Sequence, residues 1–311
     1  MTDCKHYELY GTLFFVVLAV LPLVPPIFLG FRCVRAFRQG VGRKAVQRLI
    51  LGCALAVAVY AAVVADAFLV EPNWPRLRTI EIEGRLSSEL TILHISDLHI
   101  EKDMAPRDRW IIETVRQMSP DIIVITGDIH QIDNDDTASL DRVLRHMSAP
   151  LGVFATGGYD NLAMLKQVNT NIVYLQDDAA IVRHNSDTIV IAGSPRAQLQ
   201  KEGRLLATAS YGIILEHTPD RTVQAGAMSA DLYLCGHTHG GQVRIPFWGA
   251  IMTNCETGKR FEAGLYSVGK MFVHTSRGLG LEPRPAPQVR FFCRPEATLI
   301  KIVPARKKVL R

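Results

Sequence analysis

Two long apolar runs dominate the front of the chain. Leu9 to Phe31 is 23 residues without a charge, and Leu49 to Val70 is 22 residues interrupted only by Asp66. The hydrocarbon core of a bilayer takes about 20 residues of helix, so each run is long enough to span it. A cleaved leader fits less well, because Asp3, Lys5 and Glu8 nearly cancel ahead of the first run and a second run comes after it. Pro22, Pro25 and Pro26 remove backbone donors near the end of the first run and predict a kink there. Pro72, Trp74 and Pro75 close the second run and set a boundary near residue 75, with an indole suited to the membrane–water interface. Residues 1–75 are therefore predicted to be a two-span membrane anchor, and 76–311 a separate domain.

Past that boundary the pattern changes to short apolar runs of β type: Thr91–Ser96, Ile122–Thr126, Gly152–Thr156, Thr188–Ala192, Gly212–Leu215 and Asp231–Cys235. Helical periodicity lies between them. Pro106–Met118 puts Ile111, Val115 and Met118 on one face behind a first-turn proline, and Thr137–Met147 does the same with Leu140, Val143, Leu144 and Met147. The alternation predicts an α/β domain with buried sheets. From Gln242 to Val303 the chain is richer in Gly and Pro and reads as strands joined by loops.

At 311 residues and 48% hydrophobic, the chain has ample material for a core in addition to the anchor. The net charge of +5 comes largely from Arg32, Arg35, Arg38, Arg43, Lys44 and Arg48 between the apolar runs, and from Arg306, Lys307, Lys308 and Arg311 in the tail. The segment between the runs has no acidic residue, which predicts that it faces the cytoplasm and that both termini and the large domain lie on the other side. Arg76 and Arg78 weigh the other way. No basic patch is interleaved with aromatics, so no nucleic-acid partner is expected. The tail suits either anionic lipid or plain solvation. Two spans with one acidic residue make a poor transport pathway. Cys4, Cys33, Cys53, Cys235, Cys255 and Cys293 contain no C-x-x-C pair, so neither a thiolate metal site nor a disulfide framework is legible. Cys255 with Cys293 is a pair that an oxidising compartment would permit.

The chemistry sits in the residues immediately after each apolar run. Asp97 and His99 come after Ile92–Ser96, Gly127 and Asp128 after Ile122–Thr126, His217 after Gly212–Leu215, and His237 and His239 after Leu232–Cys235. Open α/β sheets place their sites just beyond the carboxyl ends of strands, so two aspartates and four histidines become candidates for one cluster. Taken singly, each is most simply a satisfied polar residue at a strand end. Together, imidazole and carboxylate without thiolate suit manganese, iron or zinc. Two such ions about 3.5–4 Å apart can share a carboxylate and clamp a phosphate.

Asp97-Leu-His99, Gly127-Asp128, His217 and Gly236-His237-Thr238-His239 resemble the ordered blocks of the calcineurin-like metallophosphoesterase superfamily. The downstream Gly240-Gly241-Gln242-Val243-Arg244-Ile245-Pro246, Gly258-Lys259, Gly264-Leu265-Tyr266 and Ser276-Arg277-Gly278-Leu279-Gly280 look like its membrane-associated bacterial subgroup, which includes phosphodiesterases and the UDP-2,3-diacylglucosamine hydrolases of lipid A synthesis. The resemblance covers about residues 90–303. It implies a four-layer α/β sandwich of two packed mixed sheets flanked by helices. It also implies two divalent ions, one held by Asp97, His99 and His239, the other by His217 and His237, with Asp128 between them and a bridging water as nucleophile toward phosphorus. A lipid-linked or nucleotide–lipid phosphate substrate at the bacterial inner membrane is implied by the subgroup. A UDP-sugar lipid is expected on the cytoplasmic side, at odds with the charge-based orientation.

One block departs from the family. Where Gly-Asn-His-Asp/Glu is usual, the chain has Gly157-Gly158-Tyr159-Asp160-Asn161. Gly158 has no donor atom in place of a metal-binding asparagine. Tyr159 stands where a histidine meets substrate, and a phenol with an ordinary pKa of about 10 is a poorer proton relay. Asp160 or Asn161 is available to fill the gap, as is a water. The alternative to an active enzyme is a catalytically impaired metal-binding sensor or scaffold.

Overall fold

The computed structural model describes residues 24–40, 42–131, 136–160, 162–168, 171–193, 199–283 and 286–305. The chain divides into two compact units, Met1–Val70 with Arg284–Gln288, and Glu71–Pro283 with Val289–Arg311.

In the first unit, a helix spans Val24–Arg38 and another Arg43–Ala65, the latter running on through a π turn at Asp66–Val70. Helix Arg43–Ala65 buries none of its residues, and Leu51, Leu55 and Val59 are exposed. Among the described residues one helix, Arg43–Asn73, is long and apolar enough to cross a membrane. It contains the second expected span. The first expected span, 9–31, lies outside the described residues up to residue 23, so among the described residues one of the two expected spans is seen as a candidate helix. The basic segment is also not a loop. Arg32, Arg35 and Arg38 belong to the first helix, and Arg43, Lys44 and Arg48 open the next. The chain nevertheless turns between the two helices at Gln39–Gly40, so the basic residues flank a short break. The basic tail from Arg306 onward lies outside the described residues.

The second unit is built from β1 (Arg76–Gly84), β2 (Leu90–Ile95), β3 (Ile122–Thr126), β4 (Val153–Thr156), β5 (Ile172–Tyr174), β6 (Asp178–His184), β7 (Asp187–Gly193), β8 (Tyr211–Leu215), β9 (Leu232–Cys235), β10 (Arg244–Ile245), β11 (Gly249–Ala250), β12 (Gly264–Val268), β13 (Met271–Thr275) and β14 (Glu296–Pro304). One six-stranded sheet has the order β1-β14-β2-β3-β4-β5, the other β12-β13-β9-β8-β7-β6, and β10 and β11 form a separate hairpin. Both sheets are mixed. β2 to β5 run parallel while β14 is antiparallel to β2, and β7, β8, β9 and β13 run parallel while β6 and β12 are antiparallel edges.

Strand alternation sorts the core into layers. Ile92, Ile122, Val124 and Ile300 face Ile189, Ile191, Ile213, Leu232 and Leu234 between the sheets. On the other face of the first sheet, Leu93, Ile95, Ile123 and Ile125 meet Ile111 and Val115 of helix Pro106–Met118 and Leu140 and Leu144 of helix Thr137–Leu144. Val190, Ala192, Ile214 and Tyr233 cover the second sheet's outer face with Leu206 and Ala225. This is the expected helix–sheet–sheet–helix sandwich. Burying such side chains contributes roughly 1.5–3 kcal/mol each, which is what holds the strand ends in register. Three strands fall outside the stretches expected to be strand: β1 and β6 are edge strands carrying charges, and β5 is three residues long.

Candidate metal centre

The candidate ligands stand just past strand ends. Asp97 and His99 lie beyond β2, Asp128 beyond β3, His217 beyond β8, and His237 and His239 beyond β9. Asp97, His99, Asp128, His237 and His239 all have φ between 44° and 67°, the left-handed region that costs a non-glycine residue of order 1–3 kcal/mol. Backbone bonds hold them there. Asp97 N–H donates to Gly127 O at 3.0 Å and His99 N–H to Asp128 O at 3.0 Å, so the two loops brace each other. His237 N–H donates to both Asp97 carboxylate oxygens at 3.0 and 3.2 Å, tying the second sheet's loop to the first.

All six side chains are buried. Candidate ligand atoms of Asp97, His99 and His239 lie within 4.8 Å of one another, and so do those of Asp97, Asp128 and His217. Asp97 thus belongs to both groups. The Oδ2 atom of Asp128 also looks both ways, 3.6 Å from His99 Nε2 and 3.4 Å from His217 Nε2.

The imidazoles test whether a cation fits. The His217 Nδ1–H donates to Thr126 O at 2.9 Å, and the His237 Nε2–H donates to Asn254 O at 2.7 Å. Those carbonyls accept only, so they fix each ring with its other nitrogen turned inward. The two inward nitrogens, His217 Nε2 and His237 Nδ1, are 3.1 Å apart, and on the other side His99 Nε2 and His239 Nε2 are 3.3 Å apart. The inward lone pairs of His217 and His237 repel at that distance unless a positive charge lies between them, whereas Arg290 donates to His239 Nδ1 at 3.5 Å, which puts the neutral ring's proton on Nε2, facing His99 Nε2, until an ion displaces it. Ligands at about 2.0–2.2 Å from a shared ion are themselves separated by roughly 3.0–3.6 Å. The residues present fit divalent metal.

The charges agree with this reading. Burial pushes Asp97 up to about 7, with the His217 charge opposing. Burial also acts to raise Asp128, but the His217 hydrogen bond and charge outweigh it and hold the carboxyl well below the usual range. His217 is driven the other way. Burial would lower it, yet Asp128 raises it to about 10, so in the metal-free chain a proton occupies the place of a cation. Burial depresses His99 to about 4 and His239 well below the ordinary value, which keeps both rings in the neutral form that binds metal.

No family model matches the chain. Over 235 residues it is 31% identical to the uncharacterized metallophosphoesterase YkuE of Bacillus subtilis, covering 68% of this chain and 78% of that protein. The chain belongs to the metallophosphoesterase family. Phosphodiesterase YaeI of Escherichia coli is 29% identical, covering 75% of this chain and 90% of that one. UDP-2,3-diacylglucosamine pyrophosphatase LpxG of Chlamydia muridarum is 25% identical, again over 75% and 90%. As a metallophosphoesterase the chain is a hydrolase of phosphoester bonds.

The third motif sits differently from the candidate ligands of this metallophosphoesterase. Asp160 is turned away from the cluster. Its Oδ1 accepts from Ile129 N at 2.9 Å, His130 N at 3.2 Å and the His130 ring at 2.8 Å, and it belongs to neither candidate ligand group. Asn161 lies outside the described residues. Tyr159 is exposed at the rim, its ring 5.8 Å from that of His217 and 6.0 Å from that of His237, while its N–H donates to Asp128 Oδ1 at 2.8 Å. Gly158 packs closely against Asp128 and His217. A Cβ there would land on Asp128 Oδ1, and would lie 2.9 Å from Asp128 N and 3.0 Å from His217 Cε1.

Two residues at the centre are not predicted by the sequence. Glu282 brings Oε2 to 3.3 Å from His239 Nε2, and burial together with Asp128 and Asp97 pushes its carboxyl up to about 7. Its only signal is its position just past Ser276–Gly280. Arg290 is fully buried and donates to the carbonyls of Arg277, Gly280 and Cys293 at 3.0, 2.6 and 2.9 Å, bracing the loop that carries Gly278 beside Asp97. A lone arginine in a loop carries no such signal. Cys293 and Cys255 are both free thiols, the former with Sγ 3.2 Å from His239 O, so the permitted disulfide is not formed.

Proposed function

We propose that this metallophosphoesterase is a membrane-tethered phosphodiesterase or pyrophosphatase that acts on a lipid-linked or nucleotide–lipid phosphate such as UDP-2,3-diacylglucosamine. The facing imidazole nitrogens around Asp97 and Asp128 are the observation that carries the metal-dependent chemistry. Asp97, His99 and His239 would hold one divalent ion, His217 and His237 the other, with Asp128 between them. Manganese, iron and zinc all suit the donor set. When bound, the ions supply the positive charge that polarises a phosphoryl group and eases ionisation of a water.

The chain's own residues do the rest. The carbonyls of Thr126 and Asn254 orient His217 and His237, and the Tyr159 N–H orients Asp128. The exposed Tyr159 hydroxyl is the group at the rim able to donate to a phosphoryl or departing oxygen. Asp160 acts at one remove, locking the 129–130 backbone against the third motif.

The lipid assignment draws support from the apolar helix Arg43–Asn73 and from the relative LpxG, a UDP-2,3-diacylglucosamine pyrophosphatase. With 9–31 as a second crossing in the bacterial inner membrane, the basic segment faces the cytoplasm and the hydrolase faces outward. A C-terminal reporter fusion decides this, and a cytoplasmic C-terminus would favour the nucleotide-bearing substrate. The second reading, a metal-binding scaffold, is favoured by Gly158, which offers neither a donor nor room for one. Full-length protein stripped of metal and reloaded with manganese separates the two readings. Metal-dependent cleavage of bis(p-nitrophenyl) phosphate or UDP-2,3-diacylglucosamine is expected, and bound metal without turnover would leave the scaffold.

A further inference from the structure

We propose that the β10–β11 hairpin tip at 246–248, together with Phe292 and Trp74, is a second membrane contact that rests in the headgroup region of an anionic bilayer beside the metal centre. Phe247, Trp248, Phe292 and Trp74 are all exposed. Phe247 has φ 68° and Phe292 φ 51°, so two bulky, largely exposed aromatics are held in the left-handed region.

A chain of contacts ties these residues to the place where the apolar helix ends. Glu71 and Trp74 lie at and just past the end of Arg43–Asn73. The Glu71 carboxylate accepts from Phe292 N at 2.9 Å and from Cys293 N, and Arg294 donates to Trp74 O at 2.8 Å. The rings of Phe291 and Phe292 are 4.6 Å apart, and Arg244 N–H donates to Phe291 O at 2.9 Å, which anchors β10. Glu71 and Trp74, where the second unit begins, are therefore linked contact by contact to the hairpin.

The charges suit phosphate headgroups. The Arg294 guanidinium lies 3.9 Å from the Trp74 ring centre, and Lys259 Nζ lies 4.6 Å from that of Trp248. Tryptophan with a neighbouring cation is the composition of an interfacial anchor, with the ring among acyl ends and the charge at the phosphates. The hairpin also grows out of the site. It leaves from His239–Gly241 and returns to Asn254, whose carbonyl orients His237. A headgroup phosphate at this interface would enter beside the ligands.

This inference rests on the membrane-tethered reading, and its readout is independent of turnover. Full-length protein is reconstituted into phosphatidylcholine vesicles with and without phosphatidylglycerol, using dibrominated phosphatidylcholine as quencher. Emission of Trp248 is taken as the difference between wild type and Trp248→Phe. That emission is expected to be quenched, more strongly with phosphatidylglycerol, and Phe247→Ser is expected to relieve the quenching while manganese binding is unchanged. Protein that stays with the vesicles after alkaline extraction, but whose Trp248 emission ignores bromine, would overturn the inference alone. Protein extracted from the vesicles would overturn the tethered reading with it. Cross-linking of Phe247→Cys to a second copy, with Trp248 unquenched, would make the tip a self-association surface instead.

Discussion

Adding a single methyl at Gly158 tests how tightly the third motif is drawn onto the metal centre. In Gly158→Ala the new Cβ falls on Asp128 Oδ1 and stands 2.9 Å from Asp128 N and 3.0 Å from His217 Cε1. The carboxylate has to retreat by about 1 Å to restore an ordinary carbon–oxygen contact of about 3.3 Å. Overpacking of this kind costs roughly 1–3 kcal/mol. The retreat also stretches the bond from Tyr159 N–H to Asp128 Oδ1, now 2.8 Å, and a hydrogen bond to a charged group contributes about 1.5–3 kcal/mol. The two effects overlap because one movement relieves both. A combined stability loss of about 3 kcal/mol is the reasonable expectation, and binding a divalent ion has to bring the carboxylate back against the new methyl, which weakens it by up to roughly a hundredfold. Titrating metal-free full-length protein with manganese, and following free manganese by electron paramagnetic resonance, measures this directly. Gly158→Asn should behave no better, since its Cβ meets the same atoms before its amide can reach an ion. Wild-type affinity in Gly158→Ala would refute the reasoning, because it would mean that the turn backs away at little cost. Tighter binding by Gly158→Asn, Tyr159→His would then be expected.

Asp97 holds its proton to about 7 when folded against 3.8 in the free side chain, so the stability it contributes is full below about pH 4 and is lost as pH rises to about 7. His217, raised from 6.5 to about 10, contributes stability that is full below about pH 6.5 and lost toward pH 10. Below about pH 6.5 the depressed His99 and His239 act the other way, because their unfolded rings take up protons that the folded ones refuse, so it is from pH 7 to 10, where His217 titrates, that thermal melts of the metal-free protein should fall in Tm while the increment from added manganese grows. A metal-free Tm that climbs from pH 7 to 9 would contradict this. Asp160→Ala leaves three donors at 129 and 130 without their acceptor and should cost about 2–4 kcal/mol in urea unfolding, with manganese affinity falling less than in Asp128→Asn. Asp128→Asn should lower the His217 pKa in the metal-free protein, seen by histidine NMR, and weaken manganese binding. An unchanged His217 would break the pairing argued for the two.

Much of the site is legible in the sequence because its signals are local. Pro106–Met118 and Ile122–Thr126 are delimited to the residue, since a proline-led amphipathic turn and a run of four apolar residues closed by a threonine carry their own boundaries. Asp97, His99, Asp128, His217, His237 and His239 fall at strand ends because a polar residue after an apolar run has to leave the sheet there. What the sequence could not decide were relations between distant residues. Nothing local says that β14, the last strand, inserts between β1 and β2, or that Thr126 and Asn254 carbonyls choose which nitrogen His217 and His237 turn inward. The missing asparagine at Gly158 is visible in the sequence as a missing atom, and only the packing of the turn against Asp128 and His217 shows that the space went with it. Glu282 and Arg290 reach the centre from a glycine- and proline-rich loop with no periodicity to mark them. The types of the ligands are determined along the chain by chemistry, whereas their facing distances are set by two sheets packing through a common core, which is a property of the folded molecule alone.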